Sequence, residues 1–352
     1  AGGVGVMNIR LLWRERVLIG LLISSGVVLA LLSDVFLTPA NLLRATRYAA
    51  EIGLVALPMT MIIISRGIDL SVASNMALSA MAMGLLWQRG LPIWPAVAIG
   101  VVTGTLAGWL NGWVIARVRV PAIVVTLATL AVYRGIATGL SGGTGILGFP
   151  ESFLALGAGT VAGIPVQTVI WIAGIVIAAV FLTRTTNGRY IYGIGHNETA
   201  LRFSGIAVDR IVLGLYTASG FVAALAGMIY AARVGTAKSN AAAGYELSII
   251  TAVVLGGTSL AGGEGTLVGT VLGVLILTIL QNGLTLARVP AAMQDVLIGT
   301  VLLAAVLTYR ERPMRKEVSA QSTSQPAPRR AAGRAMSDPE NTLAAGEERR
   351  KP

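Results

Sequence analysis

Three consecutive stretches set the fold class: PVQTVIWIAGIVIAAVFLT (165–183), RTTNGRYIYGIGHNETALRFSGIAVDR (184–210) and IVLGLYTASGFVAALAGMIYA (211–231). The first and third carry no charge and are long enough to cross a hydrocarbon core, which takes about 20 helical residues. The middle one is polar, with Arg184, Arg189, Arg202, Arg210 and the chain's single histidine, His196. It also carries the marks of a short helix from about Asn197 to Gly205. Asn197 is an N-cap residue, Glu198 suits the positive first turn, and Gly205 can end the helix in the left-handed conformation. A chain that places a capped helix between two spans presents that helix to something.

Composition agrees with a membrane protein. Hydrophobic residues make up 55% and charged residues 12% of the chain, against roughly 25% charged in soluble domains; the mean hydropathy is +0.75. The 43 glycines suit closely packed transmembrane helices. With no cysteine and one histidine, disulfides and thiolate metal sites are excluded and zinc is disfavoured. The net charge of +11 is scattered between apolar spans. That pattern fits arginines beside anionic membrane lipid and speaks against nucleic acid.

Ten candidate spans emerge, at about 17–36, 47–65, 71–88, 93–116, 121–140, 165–183, 211–231, 246–259, 266–286 and 291–309. The eighth is short and bounded by glycine, as a broken or re-entrant span would be. The chain divides into an N-terminal segment 1–16, a membrane domain 17–310 and a tail 317–352 whose Ser, Pro, Ala, Arg and Glu show no periodicity and read as disordered. The first apolar run, preceded by Arg10, Arg14 and Arg16, is long for a signal peptide and reads as a retained anchor. Ten spans place both termini on one side. Counting basic residues with the N-terminus inside gives fourteen internal (Arg10, Arg14, Arg16, Arg66, Arg117, Arg119, Arg184, Arg189, Arg202, Arg210, Arg310, Arg312, Arg315, Lys316) against six external (Arg44, Arg47, Arg89, Arg233, Lys238, Arg288). The positive-inside rule therefore puts both termini and the 184–210 loop in the cytoplasm.

There is no Gly-Lys pair, hence no P-loop, and no HExxH motif. Two glycine-punctuated segments sit at internal span ends. One is SRGIDLSVAS (65–74), with Gly67, Asp69 and Ser71; the other, GGTSLAGGEG (256–265), holds Gly256, Gly257, Gly262, Gly263 and Gly265. Irregular backbone at membrane depth needs protein or a water-filled cavity around it, so both read either as tight capped turns or as gating elements. Asn75, Asn111, Gln281 and Asn282 lie within spans, where polar groups face a bundle interior or a pathway. Each suits either helix packing or weak binding of an uncharged polar solute. Arg134, at a span end, is expected to snorkel outward.

Taken together, four stretches resemble the permease subunits of ATP-binding-cassette importers for monosaccharides, the ribose, xylose, arabinose, galactose, rhamnose and autoinducer-2 branch. They are SRGIDLSVAS (65–74), LNGWVIARVRVPAIVVTLATLAVYRG (110–135), TTNGRYIYGIGHNETALRFSGI (185–206) and AVVLGGTSLAGGEGTLVGTVLG (252–273). The resemblance covers about residues 45–310. EIGLVALPMTMIIISRGIDLS (51–71) is similar to the autoinducer-2 and rhamnose permeases. Arg66, Ala73 and Ala128 stand where the family usually has glycine.

The resemblance implies an all-α polytopic fold in the bacterial inner membrane and a transport subunit without its own ATPase site. ATP would be bound by a separate subunit, and the chain itself would need no cofactor or metal. Its partners would be a second permease subunit, identical or paralogous, two cytoplasmic ATPase domains and a periplasmic sugar-binding protein. The helix in the 184–210 loop would be the coupling helix, engaging the ATPase through His196, Asn197, Glu198, Ala200, Leu201, Arg202, Ser204 and Gly205. Gly67, Asp69, Ser71, Asn75, Asn111, Gln281 and Asn282 would line the pathway or gate. Ala200, Leu201 and Phe203 give the helix an apolar side, and Glu198 and Arg202 are spaced to pair at i,i+4. Rhamnose or autoinducer-2 is the expected cargo. A proton- or sodium-coupled secondary transporter is the alternative; Glu51, Asp69 and Asp295 all fall near predicted span ends, which suits ion coupling poorly. An intramembrane enzyme lacks a recognisable constellation.

Overall fold

A computed structural model of the chain describes residues 3–308, so the expected tail at 317–352 lies outside the described residues. Over the described residues the protein is all-α and polytopic. Ten helices correspond to the ten expected spans: α1 (Gly3–Leu32), α2 (Pro39–Ile64), α3 (Val72–Gln88), α4 (Ile93–Trp113), α5 (Ala122–Ser141), α7 (Val166–Arg184), α9 (Val208–Val234), α10 (Tyr245–Leu255), α11 (Leu267–Leu286) and α12 (Ala291–Thr308). Seven of them, α1, α2, α4, α5, α7, α9 and α11, are long and apolar enough to cross a membrane. At 11 residues, α10 spans only about 16 Å, as its bounding glycines foretold. The chain before it, 235–244, is irregular, and Ala237, Ala241 and Ala242 in it are buried.

Two helices lie off the spans. α6 (Glu151–Ala158) and a hairpin pairing Thr160–Val161 with Ile164–Pro165 fill the 141–164 loop; α8 (Thr186–Phe203) fills the 184–210 loop. The second span begins at Pro39 rather than near 47. Thr38 caps it by accepting from the Asn41 N–H at 3.4 Å, and Pro39 takes a first-turn position where no N–H is needed. Arg44 and Arg47 are therefore helical, not in a loop. Similarly, α1 begins at Gly3, so residues 3–16 are part of the first helix.

α2 is the central element, buried from Ala49 to Ile64 and flanked by α7, α9, α10 and α11. Beside it, α4 and α9 cross in close contact. Gly100, Gly104, Gly108 and Gly112 recur every four residues along one face of α4. A Cβ at Gly108 would meet the Tyr216 carbonyl and the Gly220 backbone, and one at Gly112 would meet Leu213. Small residues at this spacing let two backbones touch. Gly108→Leu should therefore destabilise the bundle by about 3 kcal/mol, the upper end for overpacking, read as a lowered Tm in detergent. Gly214→Leu, where a Cβ meets nothing within 4 Å, should leave the Tm near wild type.

Candidate functional site

The polar loop folds as two helical pieces. α8 is two helices that meet at a kink, where Asn197 has φ −158° and ψ 91°. Its side-chain oxygen accepts from the Ala200 N–H at 3.0 Å, capping a short second helix. Gly205, with φ +78°, ends that helix, and the Ile206 N–H closes onto the Leu201 carbonyl at 3.2 Å. Glu198 and Arg202 pair at 2.8 Å, the expected i,i+4 contact. Arg202 also pairs with Asp209 at 2.5 Å, a partner across the glycine turn that spacing rules do not reveal. Asp209 first, then Glu198, hold the guanidinium protonated, raising its pKa.

The helix turns a distinct face outward. Phe203 is 89% exposed, and Ala200 is exposed beside it. Leu201 does not join them; its methyl groups lie over Gly193, on the first half of α8. His196 and Ser204 are exposed but already bonded: His196 Nδ1 lies 2.8 Å from the Tyr192 carbonyl, and the Ser204 hydroxyl donates to the Ala200 carbonyl at 3.0 Å.

Beneath the kink, three segments are tied into one knot. α2 ends in a Schellman turn, with Gly67 N–H bonded to Ile62 O at 2.8 Å and Arg66 N–H to Ile63 O at 2.9 Å. Arg66 sits at the left-handed position, φ 66°, which normally falls to glycine and costs other residues about 1–2 kcal/mol. Its side chain answers for the strain. Nε donates to the Ala261 carbonyl at 2.8 Å in the glycine segment, and an Nη donates to the His196 carbonyl at 3.3 Å, next to the kink. The Gly263 N–H bonds the Ile64 carbonyl at 2.8 Å, and the Tyr192 hydroxyl donates to Gly265 O at 2.9 Å; burial raises the Tyr192 phenol pKa, which keeps it a donor. Gly195 packs against Ile64 O and the Gly263 backbone with no room for a Cβ.

The glycines of 256–265 divide by task. Gly262 and Gly263 turn the chain at φ +84° and +79°, and Gly257 is also left-handed. Gly256 lies against the Gly269 backbone of α11, and Gly265 against Thr258.

The first polar segment and the intramembrane amides form a second cluster. Asp69 Oδ1 accepts from the Ser71 N–H at 3.0 Å and the Ser71 hydroxyl at 2.6 Å, and Oδ2 from the Ser219 hydroxyl at 2.9 Å. The Asn111 amide donates to Ser71 Oγ at 2.8 Å, and the Tyr133 hydroxyl lies 3.1 Å from Asn111 Oδ1. Asn75 donates to the Gly104 carbonyl at 3.0 Å. Asp69, Ser71, Asn75 and Asn111 are all buried. They join α3, α4 and α9 to the turn after α2, so in this conformation they act as helix-packing groups. Gly67 is walled in by Tyr216 and Ile62. Asn282 stands apart, in a reciprocal amide pair with Asn41 at 2.8 and 3.0 Å. Neighbouring Gln281 is half-buried and joins neither cluster through its side chain.

The sequence that builds this arrangement has known relatives. The family described as the branched-chain amino acid transport system permease component matches residues 41–306. The chain belongs to that family. Among curated relatives, the permease is 40% identical over 307 residues to the ribose import permease protein of Escherichia coli (strain K12), covering 86% of this chain and 95% of the relative. It is 40% identical over 288 residues to that of Bacillus subtilis (strain 168), covering 81% and 89%. It is 35% identical over 331 residues to the autoinducer 2 import system permease protein of Escherichia coli O9:H4 (strain HS), covering 92% and 100%. No solved structure matches it. The permease is thus a multi-pass protein of the bacterial inner membrane, a transport component by family.

Two expectations about charges need correction. Glu51 is not at a span end. It lies well inside α2, fully buried, with Oε1 2.5 Å from Arg233 Nε and Oε2 3.0 Å from an Arg233 Nη. The Arg233 guanidinium also stacks 4.4 Å from the Tyr48 ring centre. A carboxylate so paired is occupied structurally, which leaves the ion-coupled alternative without a free group here. Asp295 is exposed on α12. Arg134 does not snorkel freely; one Nη donates to the carbonyls of Ser239 and Ala241 at 2.7 and 2.8 Å. It thereby pins the irregular chain before α10, whose open carbonyls need donors.

Proposed function

We propose that this chain is the membrane-spanning subunit of an ATP-driven importer for a monosaccharide or sugar-like solute. A periplasmic binding protein delivers the solute, and two cytoplasmic ATPase domains drive a permease pair between outward- and inward-facing states. Family permeases work with ATPase and binding-protein partners in general. The observation that carries the reading is the capped helix at 198–203, exposing Phe203 on a base wired into α2 and the glycine segment. A push on that helix reaches α2, the most buried element, through bonds rather than loose chain. On this reading Glu198, Ala200, Arg202, Ser204 and Gly205 shape the ATPase contact, while Asp69, Ser71, Asn75 and Asn111 hold α3, α4 and α9 together as one moving body. Asn41 and Asn282 fasten α11 to the start of α2.

Rhamnose and autoinducer-2 are the cargoes expected from residues 51–71. The higher identity to ribose import permeases favours a pentose such as ribose, with autoinducer-2 second. The test is uptake into proteoliposomes. With ATPase and binding protein added, radiolabelled ribose should accumulate only when ATP is supplied. Accumulation by the permease alone against a gradient would sink the proposal.

Arg66 offers a sharper check. Arg66→Gly relieves the left-handed strain but removes both side-chain bonds of the knot. It should leave the Tm within a few degrees of wild type while uptake per ATP hydrolysed falls about tenfold, within the usual range of coupling energies. A variant that is both stable and fully coupled would show the knot to be passive.

A further inference from the structure

An amphipathic groove on the membrane flank of the permease has no role in the scheme above. Its apolar part lies between α2, α7 and α9, encloses about 620 Å³, and is walled by residues such as Leu57, Met61, Ile177, Leu215 and Phe221. Along α9 it runs from Arg210 to Leu225, fifteen helical rises or about 22 Å. One leaflet's share of the hydrocarbon core is about 15 Å, so the groove is long enough for a whole acyl chain. Its floor is low because Gly214 leaves open space where a side chain would stand.

At its Arg210 end, which the proposed topology puts in the cytoplasm, the groove meets a polar cavity of about 560 Å³ lined by Tyr190, Ser204 and Gly205, and the two share Asn187, Arg210 and Ile211. Arg210 is exposed, and no carboxylate among the described residues pairs with it. The neighbouring acid, Asp209, is taken by Arg202 at 2.5 Å. The first turn of α9, a 27-residue helix whose N-cap Ala207 supplies no side-chain acceptor, adds a positive dipole end at the same place.

We propose that this groove holds one anionic phospholipid of the inner leaflet. An acyl chain lies along α9 over Gly214, and the phosphate is bound by Arg210 with Asn187 as a second donor. An apolar trough alone would accept any chain, or a second copy of the protein. The unpaired arginine at its headgroup end, with its neighbouring acid neutralised, selects the negative charge. The site adjoins the turn at Gly205, so the lipid would brace the base of the coupling helix.

The test uses the full-length permease in nanodiscs containing equal phosphatidylglycerol and phosphatidylcholine with the same chains, extracted into mild detergent and read by native mass spectrometry. Wild type should retain phosphatidylglycerol over phosphatidylcholine by about fivefold, the expected weight of one basic residue at an anionic surface. Arg210→Gln should bring the ratio close to one, and Gly214→Leu should lower retention of both lipids. Retention unchanged in both variants overturns the proposal. So does a Gly214→Leu variant that splits a permease dimer with lipid retention unchanged, because the groove would then be a contact between copies.

Discussion

Arg233→Ala is expected to cost the permease about 3–5 kcal/mol, the penalty for stranding one member of a buried ion pair. Arg233 and Glu51 are 182 residues apart in sequence and join α9 to α2. With the guanidinium gone, the fully buried Glu51 carboxylate would keep only the Tyr245 hydroxyl, at 3.4 Å. Glu51→Ala should do less harm, because Arg233 retains the rings of Tyr48 and Tyr230 at 4.4 and 5.2 Å. The double variant Glu51→Gln with Arg233→Met removes both charges and should recover part of the loss. Thermal unfolding in detergent, followed by size-exclusion fluorescence, ranks the variants. A Tm for Arg233→Ala equal to that of wild type would mean the pair contributes nothing, and a loss in the double variant equal to the sum of the losses in Glu51→Gln and Arg233→Met alone would mean the residues are not coupled.

Phe203→Ala should all but abolish transport while leaving the fold intact. The ring is 89% exposed, so the permease alone loses little by its removal. An aromatic anchor at the centre of a docking face is typically worth about 2 kcal/mol or more, about thirtyfold in affinity. Ala200→Asp on the same exposed face should act likewise by adding a charge that must be desolvated. Gly205→Pro should act by another route: proline cannot reach φ +78° and has no N–H for the Arg202 carbonyl, bonded at 3.0 Å. All three variants should insert and show a near-normal Tm, but copurify poorly with the ATPase or hydrolyse ATP without uptake. Normal transport in all three would refute the coupling role.

Much of this was legible in the sequence for simple physical reasons. Apolar runs of about 20 residues announce spans, and the Gly256-Gly257 boundary announced that the eighth would be short. Asn197 and Gly205 bracket the short helix because their side chains and backbone freedom are local properties. The start of α2 was obscured because Arg44 and Arg47 lower the apolar signal, although Thr38-Pro39 marks a helix start. The 141–164 loop hid α6 and a hairpin whose turn, Ala162-Gly163, has positive φ at both residues; one glycine there is a faint cue. What sequence could not show is long-range pairing. Glu51 with Arg233, Arg134 with the carbonyls of 239 and 241, and Arg66 with those of 196 and 261 all depend on how helices meet. The direction of a side chain is equally hidden. Phe203 and Leu201 both counted as apolar cover for the helix, but only Phe203 faces out.

Arg66 shows how a departure from a family pattern can carry meaning. Read as sequence, an arginine where glycine is usual only weakens the match. In the fold, the same residue accepts a strained backbone and uses its side chain to bind the glycine segment to the chain beside the Asn197 kink.

Because the chain has no cysteine, a single one at position 200 would report on its neighbours without background. In membranes holding the permease with its ATPase, a short thiol cross-linker should join residue 200 to a cysteine placed in the ATPase's surface groove. The yield should change between nucleotide-free and ATP-bound states. No cross-link in either state, with the ATPase copurifying and uptake intact, would contradict the proposal that this helix is where the ATPase acts.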